Sequence, residues 1–166
     1  IGYSLVDGGS PVAPAAGAIT LAGSDTTEAT TTSTTLVDLL DATVSIAVGI
    51  PFLVVCSLRK TSGAAAGADI GLKLNSTSIT TPRRVFSIDN QAEFGHMWAV
   101  VTAIPASTYG GGYMISGSSG EAPALKNITT ARPNTEITNV IIEGLTDSAS
   151  QTVAADSLHV YTLAIA

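Results

Sequence analysis

Charge is what this sequence has least of. Only 12% of its 166 residues are Asp, Glu, Lys or Arg, and 13 acidic against seven Lys and Arg side chains leave a formal net charge of −6. Ordinary soluble domains carry roughly twice that charged fraction. With few cations and a negative sum, the chain lacks the electrostatic footprint for nucleic-acid phosphates or an anionic membrane surface. Aromatic residues make up 5%, which leaves little for a sugar-binding platform of exposed rings. The lone tryptophan, Trp98, sits in the apolar run GHMWAVVTAI and is expected in the core. A single cysteine, Cys56, excludes an internal disulfide, and its setting in LVVCSL marks a buried thiol rather than a nucleophile. The longest apolar run, AVGIPFLVVC, is about ten residues and contains a proline, about half the length of a membrane-spanning helix.

Helical periodicity is also missing: no stretch of about eleven residues keeps apolar positions at i, i+3, i+4 and i+7. What is present reads as β. Ala18 to Ala22 (AITLA) is a short strand, and the tract Thr26 to Thr35, seven of whose ten residues are threonine, reads as the exposed half of another. Threonine is β-branched and prefers the pleated backbone, and residues 23 to 35 hold none of the prolines of a mucin-like stalk. The tract runs into LVDLL and the alternating TVSIAV. Pro51 to Leu58 (PFLVVCSL) suggests a strand buried on both faces, and Ile70, Leu72 and Leu74 alternate as a half-buried one. Val85 to Ile88, Gly95 to Ile104, Thr135 to Glu143 and Leu158 to Ile165 complete the set, while TYGGGYMISGSSGEAP reads as a long loop with a short strand around Tyr113 to Ile115. Eight or nine short strands with turn signals between them predict an all-β, single-domain antiparallel β-sandwich, specifically a jelly roll. Residues 18–166 form that body. Residues 1–17 form an extended arm with an apolar patch, Ile1, Tyr3, Leu5 and Val6, followed by a hinge of Pro11, Pro14 and glycines.

No motif fixes a chemistry. Asp89, Glu93 and His96 fall within eight residues but match no metal signature, and His159 alternates with apolar residues as a structural histidine. GSSG at 117–120 lacks the spacing of a nucleophile elbow. Tyr109 to Tyr113 (YGGGY) has no phosphate-loop lysine and is read as a contact loop carrying Tyr109 and Tyr113. Arg83 and Arg84 are expected in a solvated turn or in a salt bridge to a neighbouring subunit. Asn75 and Asn127 open N-x-[ST] triplets, glycosylation acceptors if the chain is secreted. The expectation is therefore a non-enzyme, with no catalytic residue, cofactor or metal. The sequence opens on Ile1 rather than Met, which fits a removed leader or a longer chain.

Two segments carry a resemblance. From Thr34 to Asn75 a polar tract leads through LVDLL, an alternating strand, GIPFLVVCSL, a small-residue loop and IGLKLN, and the C-terminal pair TNVIIEG and ADSLHVYTLAI follows. This arrangement resembles the jelly-roll structural proteins of tailed bacteriophages: capsid decoration, spike-base and fibre head domains. The resemblance implies a place on the virion surface, homotrimeric self-assembly and contacts with other virion subunits. Low charge fits surfaces that pack on copies of themselves. The competing expectations are an extracellular filament or surface-layer subunit that exchanges strands, and a carbohydrate-binding module.

Overall fold

A computed structural model describes residues 18–61, 65–89, 91–104, 108–117, 124–131 and 135–163. Among them the alternating stretches form twelve strands and no helix: β1 (Ile19–Asp25), β2 (Ala29–Thr31), β3 (Val37–Ile46), β4 (Phe52–Lys60), β5 (Ala66–Leu74), β6 (Thr77–Ser78), β7 (Arg83–Asp89), β8 (Glu93–Ile104), β9 (Thr108–Gly117), β10 (Ala124–Ala131), β11 (Ile137–Thr146) and β12 (Val153–Leu163). They make two antiparallel sheets. One runs β1, β12, β4, β8, β9, β10 with β2 also on β12; the other runs β3, β11, β5, β6 with β7 also on β5.

The pairing is nested. Leaving aside the short β2 and β6 and the β9–β10 pair, the remaining eight strands in chain order pair first with last (β1 with β12), second with seventh (β3 with β11), third with sixth (β4 with β8) and fourth with fifth (β5 with β7). That is the strand order of a jelly roll, as the sequence predicts.

The two inner faces interlock. Phe52, Val54, Cys56 and Leu58 of β4, Met97, Ala99 and Val101 of β8, and Leu158 and Val160 of β12 meet Leu40, Ala42 and Val44 of β3, Val140 and Ile142 of β11, and Ile70, Leu72 and Phe86, all buried. Each large aliphatic side chain so removed from water contributes about 1.5–3 kcal/mol. Burial pushes the Cys56 thiol far above its ordinary titration range, with the Asp156 charge adding to the effect, so it is inert as a nucleophile. One charged pair shares this interior: Lys60 Nζ lies 3.0 Å from Glu93 Oε1, with both side chains almost fully buried.

Four expectations change. The threonine tract is not one face of a long strand: only Ala29–Thr31 pairs, with β12, while residues 26–28 join β1 to β2 in the same sheet and residues 32–36 cross to the other sheet before β3 begins at Val37. Its hydroxyls bond locally instead, Ser33 Oγ donating to Thr35 O (2.6 Å) and Thr31 Oγ1 accepting from Ser33 N (3.0 Å), the local competition that makes Ser and Thr weak strand formers in turns. β4 is fully buried on one face only: its outer side chains Leu53, Val55, Ser57 and Arg59 are half-buried, with no layer above them among the described residues. The stretch read as a loop, TYGGGYMISG, is the full strand β9, paired to β8 and β10. Gly111 explains this: its φ is +144°, and a Cβ there would stand 2.0 Å from the Val100 carbonyl oxygen. Its glycines let two backbones approach where side chains would part them. Finally, β10 pairs where no strand was expected.

Candidate assembly surface

The two outward faces of the sandwich differ in chemistry. On the sheet of β3, β11 and β5, most outward positions are polar and mutually bonded, with Ile141 set among them. Lys73 Nζ reaches Asp38 at 2.6 Å, Asn139 Nδ2 donates to Asp41 Oδ1 (2.8 Å), and Ser78 Oγ donates to Glu143 Oε2 (2.9 Å). Arg84 bonds Asp69 (2.8 Å) and Asp147 (2.5 Å and 3.0 Å). The expected arginine contact thus lies within the chain rather than to a neighbour, because β7 pairs on β5 and brings Arg84 opposite Asp69.

The other face carries an apolar row. Register sets Leu21, Tyr161, Leu53 and Val100 side by side across β1, β12, β4 and β8, and the next row is Ser24, His159, Val55 and Trp98. A third row holds Ser157, Ser57 and His96, and Phe94 follows opposite Arg59. Four strands at about 4.8 Å spacing make each full row about 14 Å wide. Leu21 is 53% exposed, Phe94 66%, Val100 41% and Trp98 36%. Trp98 is therefore at the surface and not in the core. Met97, Ala99 and Val101 take the inner positions of β8, which leaves Trp98 and Val100 outside by strand alternation.

Both histidines of the chain belong to this face, each beside an aromatic two residues on. His96 stacks on Trp98 with ring centroids 5.6 Å apart and planes at 23°, and His159 meets Tyr161 at 6.4 Å and 32°. The only cation in these rows, Arg59 at the end, is tied to Asp156 (2.9 Å) and Glu28. An antiparallel sheet with one face on a core ordinarily turns a polar face to water. A contiguous apolar patch on such a face marks a contact surface.

The remaining sequence candidates fall as follows. Glu93 points inward to Lys60 while His96 points outward, so the Asp89, Glu93 and His96 grouping is split across the sheet; the Asp89 side chain lies outside the described residues. No group of His, Cys, Asp and Glu among the described residues is placed to hold a metal ion. Asn75 sits in the two-residue turn between β5 and β6 with φ +52°, donating from Nδ2 to Glu136 O (3.1 Å) and accepting at Oδ1 from Thr138 N (2.9 Å) and Asn139 N (3.2 Å). Tyr109 and Tyr113 lie on the backbone of β9 and Asn127 on β10; their side chains lie outside the described residues, as do Ile1, Tyr3, Leu5 and Val6. The apolar rows were missed in the sequence, although His96-x-Trp98 and His159-x-Tyr161 signal them. A histidine that shares its strand face with an aromatic points that face away from an apolar core.

No protein-family model and no curated protein matches the sequence. Among solved structures, the chain is similar to the infectious bursal disease virus VP2 subviral particle, at 13% identity and a TM-score of 0.43 over 99% of this chain and 37% of that chain. It is also similar to the VP2 of the Gt strain, at 12% and 0.42 over 99% and 38%. A third likeness is to the CBM2 module of Lactobacillus casei BL23 phage J-1 evolved Dit, at 8% and 0.41 over 76% and 70%. The chain spans little more than a third of the length of the VP2 chains.

Proposed function

We propose that this chain is a non-enzymatic structural protein of a virus particle that self-assembles, as a homotrimer on the virion surface, through the outer face of its β1–β12–β4–β8 sheet. The carrying observation is the apolar row Leu21, Tyr161, Leu53 and Val100 with Trp98 beside it, in which Leu21, Val100 and Trp98 are exposed among the described residues. Covering such a face with a like face reproduces the chemistry of the sandwich's own core. The jelly-roll pairing supports the virion placement, since capsid proteins share this architecture with lectin domains, and so does the sequence's resemblance to phage structural proteins. The opposite sheet face, with its ion pairs, stays in water.

Substituting Trp98→Arg tests this. Trp98 packs on no core residue's inner face, so the variant keeps its β-type circular dichroism while its light-scattering mass falls to the 16.7 kDa of one chain. A variant that keeps the parent's oligomeric mass contradicts the reading. A carbohydrate-binding module is the second reading, favoured by the same exposed ring of Trp98 with the half-buried Tyr161 on the same face. The His96 stack covers ring surface that a sugar would need, and unchanged Trp98 emission on titration with oligosaccharides sets that reading aside.

A further inference from the structure

At one end of the sandwich the two sheets part and leave a cleft of about 320 Å³ lined by Thr20 of β1, Ser45 and Ile46 of β3, Ala47 and Ile50 of the β3–β4 turn, and Thr162 and Leu163 of β12. Its character is apolar, and so is its lip. The turn Ala47-Val48-Gly49-Ile50 closes with Ile50 N donating to Ala47 O (3.2 Å), and Gly49 takes the φ of +98° that the turn requires. Leu163 N donates to Pro51 O (2.9 Å), which ties the turn to β12 and holds the cleft in shape. Turns of this kind ordinarily carry polar residues, yet Val48 is 46% exposed and Ile50 42%, and Ile19 nearby is 64% exposed. This surface is separate from the outer sheet face in shape: it is concave.

We infer that the cleft receives the apolar end of the arm, Ile1 to Val6, of a neighbouring copy; this rests on the reading of a self-assembling chain. Three observations select that occupant. Ile1, Tyr3 and Leu5 recur every second residue, so an extended segment presents all three on one side at about 6.6 Å intervals. At the cleft wall Thr162 Oγ1 donates to Thr20 O (3.4 Å) and keeps acceptor capacity for a backbone N–H of such a segment. The arm joins the body at Ala18, two residues from the cleft wall at Thr20, and residues 7–17 extended span up to about 36 Å. That length exceeds what the short step from Ala18 to the arm's own cleft wall requires. A second copy is within its reach.

The test places one cysteine on each partner: Leu5→Cys with Ile50→Cys in the full chain, under mild oxidation. The native Cys56 is fully buried and does not compete. Disulfide-linked dimers and higher multimers on a non-reducing gel are the expected result. A faster-migrating, internally linked monomer, or no link at all, overturns the inference. Light scattering of the same double variant before oxidation separates the two readings. An oligomer that forms no interchain link removes the arm-in-cleft contact and leaves self-assembly standing, whereas a 16.7 kDa monomer removes both.

Discussion

At the scale of single residues, Glu143 shows what the interior asks of a charge. It lies in the middle of β11 opposite Gly71, whose missing side chain makes room for it; a Cβ there would stand 2.9 Å from Glu143 Oε1. Ser78 bonds Oε2, but Oε1 is buried with no hydrogen-bond partner among the described residues. Burial pushes the carboxyl's pKa above the ordinary glutamate value, with Asp38 adding to the effect, against the opposing influence of Ser78 and Lys73. The folded state thus holds this proton more tightly than the unfolded chain does. The corresponding stability is present below the unfolded pKa and is lost as pH rises through the folded one. Glu143→Gln is therefore expected to raise the Tm at pH 7 and to change it little at pH 3.5, as thermal melts at the two values would show; equal shifts at both would place the effect elsewhere. None of this was legible in TNVIIEG, because the burial of Glu143 arises from the strands beside it and not from its own neighbours. Trp98 teaches the converse. Its run is apolar at both strand parities, so hydrophobicity alone cannot tell inside from outside, and only His96 and Thr102 on the same parity reveal which face meets water.

At the scale of elements, what the sequence displays is whatever alternates. β3, β4, β5, β8, β11 and β12 are visible because each puts a core side chain at every second position. β9 is invisible for the opposite reason: glycine carries no hydrophobic pattern, and its role is written in its neighbour's backbone. Gly111→Ala is expected to cost about 1–3 kcal/mol through the unfavourable φ, with further loss from the contact with the Val100 carbonyl. The damage falls on the β8–β9–β10 side, because β9 and β10 lie outside the nested eight strands. Hydrogen exchange checks this. Amides of β9 and β10 should lose protection while those of β4 and β12 keep theirs; a uniform loss would mean that the β9–β10 pair is integral to the roll. The threonine tract was misjudged by the same logic, since β-propensity identifies residues that fit a pleat but not whether a partner strand is there to pair them.

At the scale of the whole molecule, the nested strand order and the asymmetry of the two outer faces belong together. A jelly roll buries one face of each sheet, and in this chain polar, ion-paired residues cover one of the two remaining faces while Leu21, Leu53, Val55, Trp98, Val100 and Tyr161 lie on the other. The class of fold was legible from strand spacing; the apolar row was not, because it exists only once register has brought four strands into line. Trp98 is the only tryptophan in the chain, so its fluorescence reports on this face alone. The most direct measurement follows its emission maximum together with light-scattering mass, from micromolar protein down through nanomolar dilution. Burial of the face between copies predicts a blue-shifted emission and a mass several times 16.7 kDa at the upper end, both reverting together on dilution to a solvent-exposed spectrum and the mass of one chain. An emission maximum that never moves, with a mass of 16.7 kDa at every concentration, would contradict the account.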